Sequence, residues 1–279
     1  MMHSSGGGPD ESLADRGGMI PIAANLSTLF PEIPWPERFL RASAQGFDGV
    51  EIQFPYAAPA DSLARAARAV GLPVILINGP VNAATRPFGI AGRIEDRPVF
   101  RSQLTMIEDY ALALGVRYVH ILAGQIHPSE ERASALEVYV ENLALAAAQL
   151  APRGIEVLIE PLNAHDAPHY LLGSYELAAD VVRRCGSGVG LQFDIYHATR
   201  MGLDAASELE RRLPIIRHIQ FADVPGRHEP GTGDVAFERW VAKLPELGYT
   251  GWLGAEYFPL HPGTDPPPWL SLWRTWLRR

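Results

Sequence analysis

The chain has 279 residues, 24 prolines and 47% hydrophobic content, enough for a substantial core and ordinary for one large α/β barrel. Its formal net charge of −8 leaves no basic surplus to neutralise phosphates, which argues against a nucleic-acid or anionic-membrane partner. The single cysteine, Cys185, can form no internal disulfide and reads as a packing residue, with a reducing, cytoplasmic compartment expected.

Residues 1–18 (MMHSSGGGPDESLADRGG) are Gly/Ser-rich and acidic, lack the apolar stretch of a signal peptide, and read as a disordered tail. No apolar run is long enough to span a membrane. From residue 19 to 279 short β-rich runs alternate with helical patterns. The strands are IAANLS from Ile22, GVEIQF from Gly49, PVILING from Pro73, YVHILAG from Tyr118, VLIEPLN from Val157, GLQFDIYH from Gly190, IRHIQFAD from Ile216 and WLGAEYF from Trp252.

Between them, the clearest helix is SEERASALEVYVENLALAAAQLAPRG, with Ser129 placed to cap its start and Gly154 following its end. A second runs from Glu95 to Leu114 and stops at Gly115. QGFDGVE, VGLPVIL, LGVRYVH and LGYTGWL each read as a helix-ending glycine followed directly by a strand. The segment from His261 to Pro268 reads as a loop into a final Trp-rich helix. No linker divides the chain, and no GxGxxG follows the first strand, so a single (β/α)8 TIM barrel is expected over an open doubly wound sheet.

Four consecutive strands end in oxygen-bearing side chains: Glu160, Asp194, Gln220 and Glu256. They recur about one strand–helix unit apart, so a barrel delivers all four to one rim. A carboxylate at the end of an apolar strand is costly unless paired or metal-bound. One such residue is readily explained by an arginine partner; four in succession point to a divalent-metal site. The ligands are hard oxygens without thiolate, which favours Mg²⁺ or Mn²⁺, with Co²⁺ also compatible.

Polar residues at neighbouring strand ends form a candidate substrate shell. His197 lies three residues after Asp194, at the strand exit, and Arg227 and His228 lie in the loop after the seventh strand. Asn25 ends the first strand, Glu51 lies in the second and His120 in the fourth. Bland readings stand beside these: a core histidine for His120, a turn cap for Asn25 and a surface pair with Glu229 for Arg227. The segment ATRPFGIAGRIEDRP reads as a lid in which Arg93 is a candidate clamp for a substrate carboxylate, or one of several solvated charges. For Arg86 the solvated reading is favoured.

Together AANLSTLF, GFDGVEIQFPY, LALGVRYVHILAG, IEPLN, LQFDIYH, HIQFADVPGRHEPGTGD and LGYTGWLGAEYFP resemble the hydroxypyruvate isomerase family of xylose-isomerase-like barrels. The resemblance runs from about Ile20 to about Pro259. It implies metal ligands at Glu160, Asp194, Gln220 and Glu256, with Glu160 and Glu256 also the catalytic acid–base pair. It places His197 and Arg227 at substrate positions and implies dimers or tetramers. Gln220 is informative, since related ketose 3-epimerases carry His there.

The implied reaction is an aldose–ketose shift between hydroxypyruvate and tartronate semialdehyde, or the related 2-oxo-tetronate isomerisation. A metal polarises the substrate oxygens, and the glutamate pair moves a proton through a cis-enediolate. Hydride shift is the competing route. A ketose 3-epimerase or other sugar isomerase is the alternative function, disfavoured by Gln220. A metal-dependent hydrolase or endonuclease on the same barrel is disfavoured by the net acidity, and a non-catalytic binding barrel by the intact ligand set.

Overall fold

A computed structural model describes residues 19–126, 131–260, 262 and 266–278. The expected tail, Ser129, and His261 with residues 263–265 of the expected final loop lie outside the described residues. Eight parallel strands close in sequence order: β1 (Ile22–Asn25), β2 (Gly49–Ile52), β3 (Val74–Asn78), β4 (Tyr118–His120), β5 (Glu156–Ile159), β6 (Val189–Asp194), β7 (Ile216–Phe221) and β8 (Trp252–Ala255). All eight expected strands are present.

The outer layer follows from amphipathic spacing and terminal chemistry. Helix α1 (Trp35–Gln45) buries Phe39, Ala42 and Gln45 along one face, and α2 (Ala60–Val70) buries Leu63, Ala64 and Ala67. Gly46, Gly71 and Gly115 close α1, α2 and α3 (Arg97–Leu114) in the left-handed conformation, as the sequence suggested. Helix α4 (Arg132–Leu150) is followed by a tight turn over Ala151–Arg153 and then by left-handed Gly154. Gly248 is also left-handed, but residues 242–248 before it form successive turns rather than a helix. Pro245 lies within that stretch and supplies no amide for a helical bond.

Ser174 caps α5 (Tyr175–Cys185), and Asp204 caps α7 (Ala205–Arg212). The short α6 (Ile195–Arg200) starts directly at the end of β6, and α8 (Glu238–Val241) is a single turn. The final helix α9 (Pro268–Trp276) is held by aromatic packing, with Trp273 4.5 Å from Phe221 and 5.0 Å from Trp269 between ring centroids.

The strand interiors have two parts. Toward the N-terminal ends, Ala23, Ile75, Leu76, Tyr118, Leu158 and Trp252 form a small apolar cluster distinct from the large core between sheet and helices. Gly49 makes room for it: a Cβ there would stand 2.7 Å from the Trp252 ring. Two residues further along β1, β3, β4 and β5, on the same face, the side chains turn polar, at Asn25, Asn78, His120 and Glu160. Pairing aligns them: Asn25 lies opposite Glu51, and Asp194 opposite Gln220. Beside Arg217 a register shift between β6 and β7 sets this alignment, so that Gln192 faces His218 rather than its neighbour.

Candidate active site

The polar layer opens into a cavity of about 180 Å³ at the C-terminal ends of the strands. Glu160, His120, His197, Arg227 and Glu256 line it, with Pro87 and Phe88 from the loop after β3 forming an apolar side. Glu160, Asp194, Gln220 and Glu256 are all buried, and β5 to β8 bring them together as expected.

Each ligand candidate is anchored by at least one hydrogen bond. Asp194 Oδ1 accepts from the Tyr196 amide at 2.8 Å, capping α6, while its Oδ2 is buried with no hydrogen-bond partner. Glu160 Oε2 accepts from Gln192 Nε2 at 2.8 Å. Glu256 Oε1 accepts from Gln53 Nε2 at 3.0 Å and contacts Arg227, and its Oε2 accepts from Gln220 Nε2 at 2.7 Å. Gln192 Nε2 also donates to Gln220 Oε1 at 2.5 Å, tying Gln220 to Glu160.

Three buried carboxylates therefore face one guanidinium. Burial is the main cause that holds the Glu160 carboxyl well above its ordinary range, reinforced by the Asp194 charge. Burial likewise raises Asp194 to about 6 and Glu256 to about 8, with Arg227 opposing both shifts. The unpartnered Asp194 oxygen and this excess of buried anions fit a divalent cation bound by hard oxygens. Donor atoms of Glu160, Asp194 and His197 fall within 4.8 Å of one another.

His197 is better assigned as a hydrogen-bond donor than as a ligand. Its Nδ1 accepts from the Asn163 backbone amide at 3.2 Å, so the neutral ring carries its proton on Nε2. That nitrogen faces Asp194 Oδ2 at 3.7 Å and Glu160 Oε1 at 3.9 Å. Burial keeps the ring neutral by pushing its pKa well below the usual value, with Arg227 adding to the effect. His120 is also buried, its pKa lowered to about 3 by desolvation, and neither ring nitrogen has a hydrogen-bond partner. Its Nδ1 stands 3.6 Å from Glu160 Oε2, so this histidine belongs to the cavity.

Arg227 reaches the centre from a loop with an unusual anchor. Buried Asp223 accepts four backbone amides, from Val224, Gly231, Gly233 and Val235, at 2.9–3.0 Å. The Arg227 amide donates to the Asp223 carbonyl, and Arg227 itself adopts φ 56°. Its guanidinium lies 4.8 Å from the Tyr196 ring centroid and 3.6 Å from Asp194 Oδ2. In the same loop His228 Nδ1 contacts the Phe258 carbonyl at 2.7 Å.

Two candidates are placed elsewhere. Arg93 donates to Asp96 at 3.1 Å and to the Gln125 carbonyl at 2.9 Å, and pairs with Glu95; it does not line the cavity. Arg86 shares the same Asp96, so this loop supplies Pro87 and Phe88 to the cavity rather than a carboxylate clamp. Asn25 lies below the cavity, donating to Glu51 and Glu256 at 3.2 Å each.

Sequence reasoning missed Gln53, Gln192 and His218. Each stands two residues from a singled-out polar residue on the same strand run, so strand periodicity was the available signal. Asn163 and Asp223 act through loop geometry, for which no local spacing signal exists.

The profile of the Xylose isomerase-like TIM barrel family matches residues 39–279. The chain belongs to this family. It is 35% identical over 257 residues to a 2-oxo-tetronate isomerase of Pectobacterium atrosepticum, covering 90% of this chain and 97% of that one. It is 36% identical over 262 residues to a putative hydroxypyruvate isomerase of Homo sapiens, covering 90% and 95%. A solved structure described as an AP endonuclease, family 2, from Brucella melitensis superposes with a TM-score of 0.87 at 37% identity, covering 91% and 99%. A 3-keto-D-glucoside 4-epimerase from E. coli, at 21% identity and TM-score 0.74 with 92% and 97% covered, shares the fold. Within the family this chain is an isomerase. Among the described residues no helix is long and apolar enough to cross a membrane.

Proposed function

We propose that this isomerase interconverts hydroxypyruvate and tartronate semialdehyde, or carries out the equivalent isomerisation of a 2-oxo-tetronate, with a divalent cation. The observation that carries the reading is the convergence of Glu160, Asp194, Gln220 and Glu256 on one buried centre beside Arg227 and His197. Relatives named for both acids, at about 35% identity over most of the chain, support the substrate class.

Glu160, Asp194, Gln220 and Glu256 would hold Mg²⁺ or Mn²⁺, which supplies Lewis acidity to adjacent substrate oxygens. Arg227 supplies the fixed positive charge against which a 2-oxo acid carboxylate orients, the role the sequence had offered to Arg93. His197 presents Nε2–H to a substrate oxygen, held in that tautomer by the Asn163 amide. One of Glu160 and Glu256 takes the proton from the carbon beside the carbonyl, through a cis-enediolate. The other returns one to the neighbouring carbon while the hydroxyl proton passes to the former carbonyl oxygen, and the roles exchange in the reverse direction. Pro87, Phe88, Leu122 and Leu162 limit water at that centre.

The test uses metal-stripped enzyme, with Mg²⁺ or Mn²⁺ added back, on hydroxypyruvate and on a 2-oxo-tetronate, product being followed through a coupled reductase. Metal-dependent turnover of one acid, lost in Glu160→Gln and in Glu256→Gln, is the expected result. Turnover of free ketoses with neither acid accepted would replace this reading with a sugar isomerase or epimerase.

A further inference from the structure

Beneath the four candidate ligands lies a buried polar group that the mechanism above does not use. Glu51 is fully buried in the barrel interior. Its Oε1 contacts His218 Nε2, and its Oε2 accepts from Gln220 Nε2 at 2.8 Å and from Asn25 Nδ2 at 3.2 Å. A carboxylate at this depth is costly, and three donors from β1 and β7 converge on it. Room for it is made by β8. A Cβ on Gly254 would stand 2.7 Å from the Glu51 carboxyl carbon and 2.9 Å from Gln220 Cγ. A strand-interior glycine weakens a strand, so its presence here calls for a close approach of this kind.

Gln220 is the uncharged member of the ligand set, and the one whose two terminal atoms differ. Only its Oε1 can bind a cation; turned over, it would present an NH₂ group. Its Nε2 lies 2.8 Å from Glu51 Oε2 and 2.7 Å from Glu256 Oε2. Ionised carboxylates accept and do not donate, so this edge of the amide must be the nitrogen. The oxygen is then forced to the opposite edge, where it meets Gln192 Nε2 and the Glu160 side of the centre. Glu256 alone is a poor guide, because as a candidate ligand and proton carrier its own charge changes. Glu51 has neither duty, and His218 holds it from the far side.

We infer that Glu51, seated against Gly254 and held by His218, is a positioning residue that locks the Gln220 amide with its oxygen toward the metal. This rests on the metal reading above. It predicts a particular coupling, because an alanine at position 220 has no amide to orient.

The experiment is a double-mutant cycle read by Mn²⁺ binding to metal-stripped protein, by calorimetry or by electron paramagnetic resonance, without substrate. Glu51→Gln in the wild-type background is expected to weaken Mn²⁺ binding about tenfold or more, the usual scale for a group that orients a ligand. The same change made in Gln220→Ala, where no amide remains to be oriented, is expected to alter binding by less than about threefold. Glu51→Asp keeps the charge but withdraws the carboxylate, and is expected to weaken binding only when residue 220 is Gln. It also carries the test if Glu51→Gln proves unfolded. Equal losses in both backgrounds, or no loss in either, would overturn the assignment. Wild-type protein that binds no Mn²⁺ would remove the metal reading and this inference with it, an outcome distinct from normal wild-type binding with additive losses.

Discussion

The two ends of the barrel interior are built from the same strands with the same two-residue period, yet they do different work. At the N-terminal end Ala23, Leu76, Tyr118, Leu158 and Trp252 fill space, and any well-packed apolar set of similar volume would serve. At the other end Asn25, Glu51, Glu160, Asp194, Gln220 and Glu256 are buried at a cost and held by hydrogen bonds, with Asp194 Oδ2 left free of one. One step of two residues along a strand separates a stability residue from a chemical one. Substitutions at the two ends should therefore fail in opposite ways.

The largest expected effect is at the polar end. Glu160→Gln and Glu256→Gln should each lower turnover about 10³-fold, the scale of losing an acid–base group. The same changes should leave the unfolding midpoint of metal-free protein level or higher, because each replaces a carboxyl that is costly to ionise at this depth with a neutral amide. A variant that lost both activity and stability would break the contrast. At the apolar end Trp252→Ala should cost about 3–5 kcal/mol in urea unfolding, because the Gly49 notch cannot collapse to fill the hole. The protein that remains folded should keep near-normal kcat.

Arg227 depends on both kinds of physics. Asp223→Asn should cost about 2 kcal/mol by leaving amides of the 223–235 loop without their acceptors. It should also raise KM more than it lowers kcat, because the guanidinium is loosened while both glutamates keep their places on the barrel; steady-state kinetics on the coupled assay would read this.

The smallest effect is a pH dependence confined to metal-free protein. Burial raises Glu256 to about 8 and Asp194 to about 6, and lifts Glu160 well above its ordinary value. The folded state then binds more protons than the unfolded one, so these groups stabilise below the unfolded carboxylate range, and the benefit is lost as pH rises through the folded values. His120 and His197 act oppositely, since their depressed values cost stability as pH falls below about 6.5, the unfolded histidine value. From about pH 7.5 to 9 the histidines are neutral in both states and the carboxylates dominate, so the metal-free unfolding midpoint should fall across that window. Added Mn²⁺ should raise it most at the upper end, because the cation needs the ionised forms. A flat midpoint across the window would show that the polar end is not desolvated as described.

The fold was legible because short β-rich runs and helix-ending glycines repeat in one order around the chain. The buried cluster of Glu160, Asp194, Gln220 and Glu256 was legible because an oxygen-bearing side chain closes each of four consecutive apolar runs. Gln192 and His218 were readable in principle, two residues upstream of Asp194 and Gln220, but an isolated polar residue inside a strand carries no distinguishing mark. Arg93 was misjudged because loop composition does not encode loop path. It turns to Asp96 and the Gln125 carbonyl, while Phe88 takes the cavity side. Asp223 was invisible as an organiser, since its four amide partners extend to Val235.

That organiser has a bearing on engineering. Arg227 holds a backbone conformation that costs a non-glycine residue roughly 1–2 kcal/mol, and the internal hooks of Asp223 sustain it. An arginine placed alone at the matching point of another barrel would lack that support and relax away. The stretch from Asp223 to Val235 carries its own scaffold, so it is the transplantable unit, to be moved whole if the anion-orienting role is to move with it.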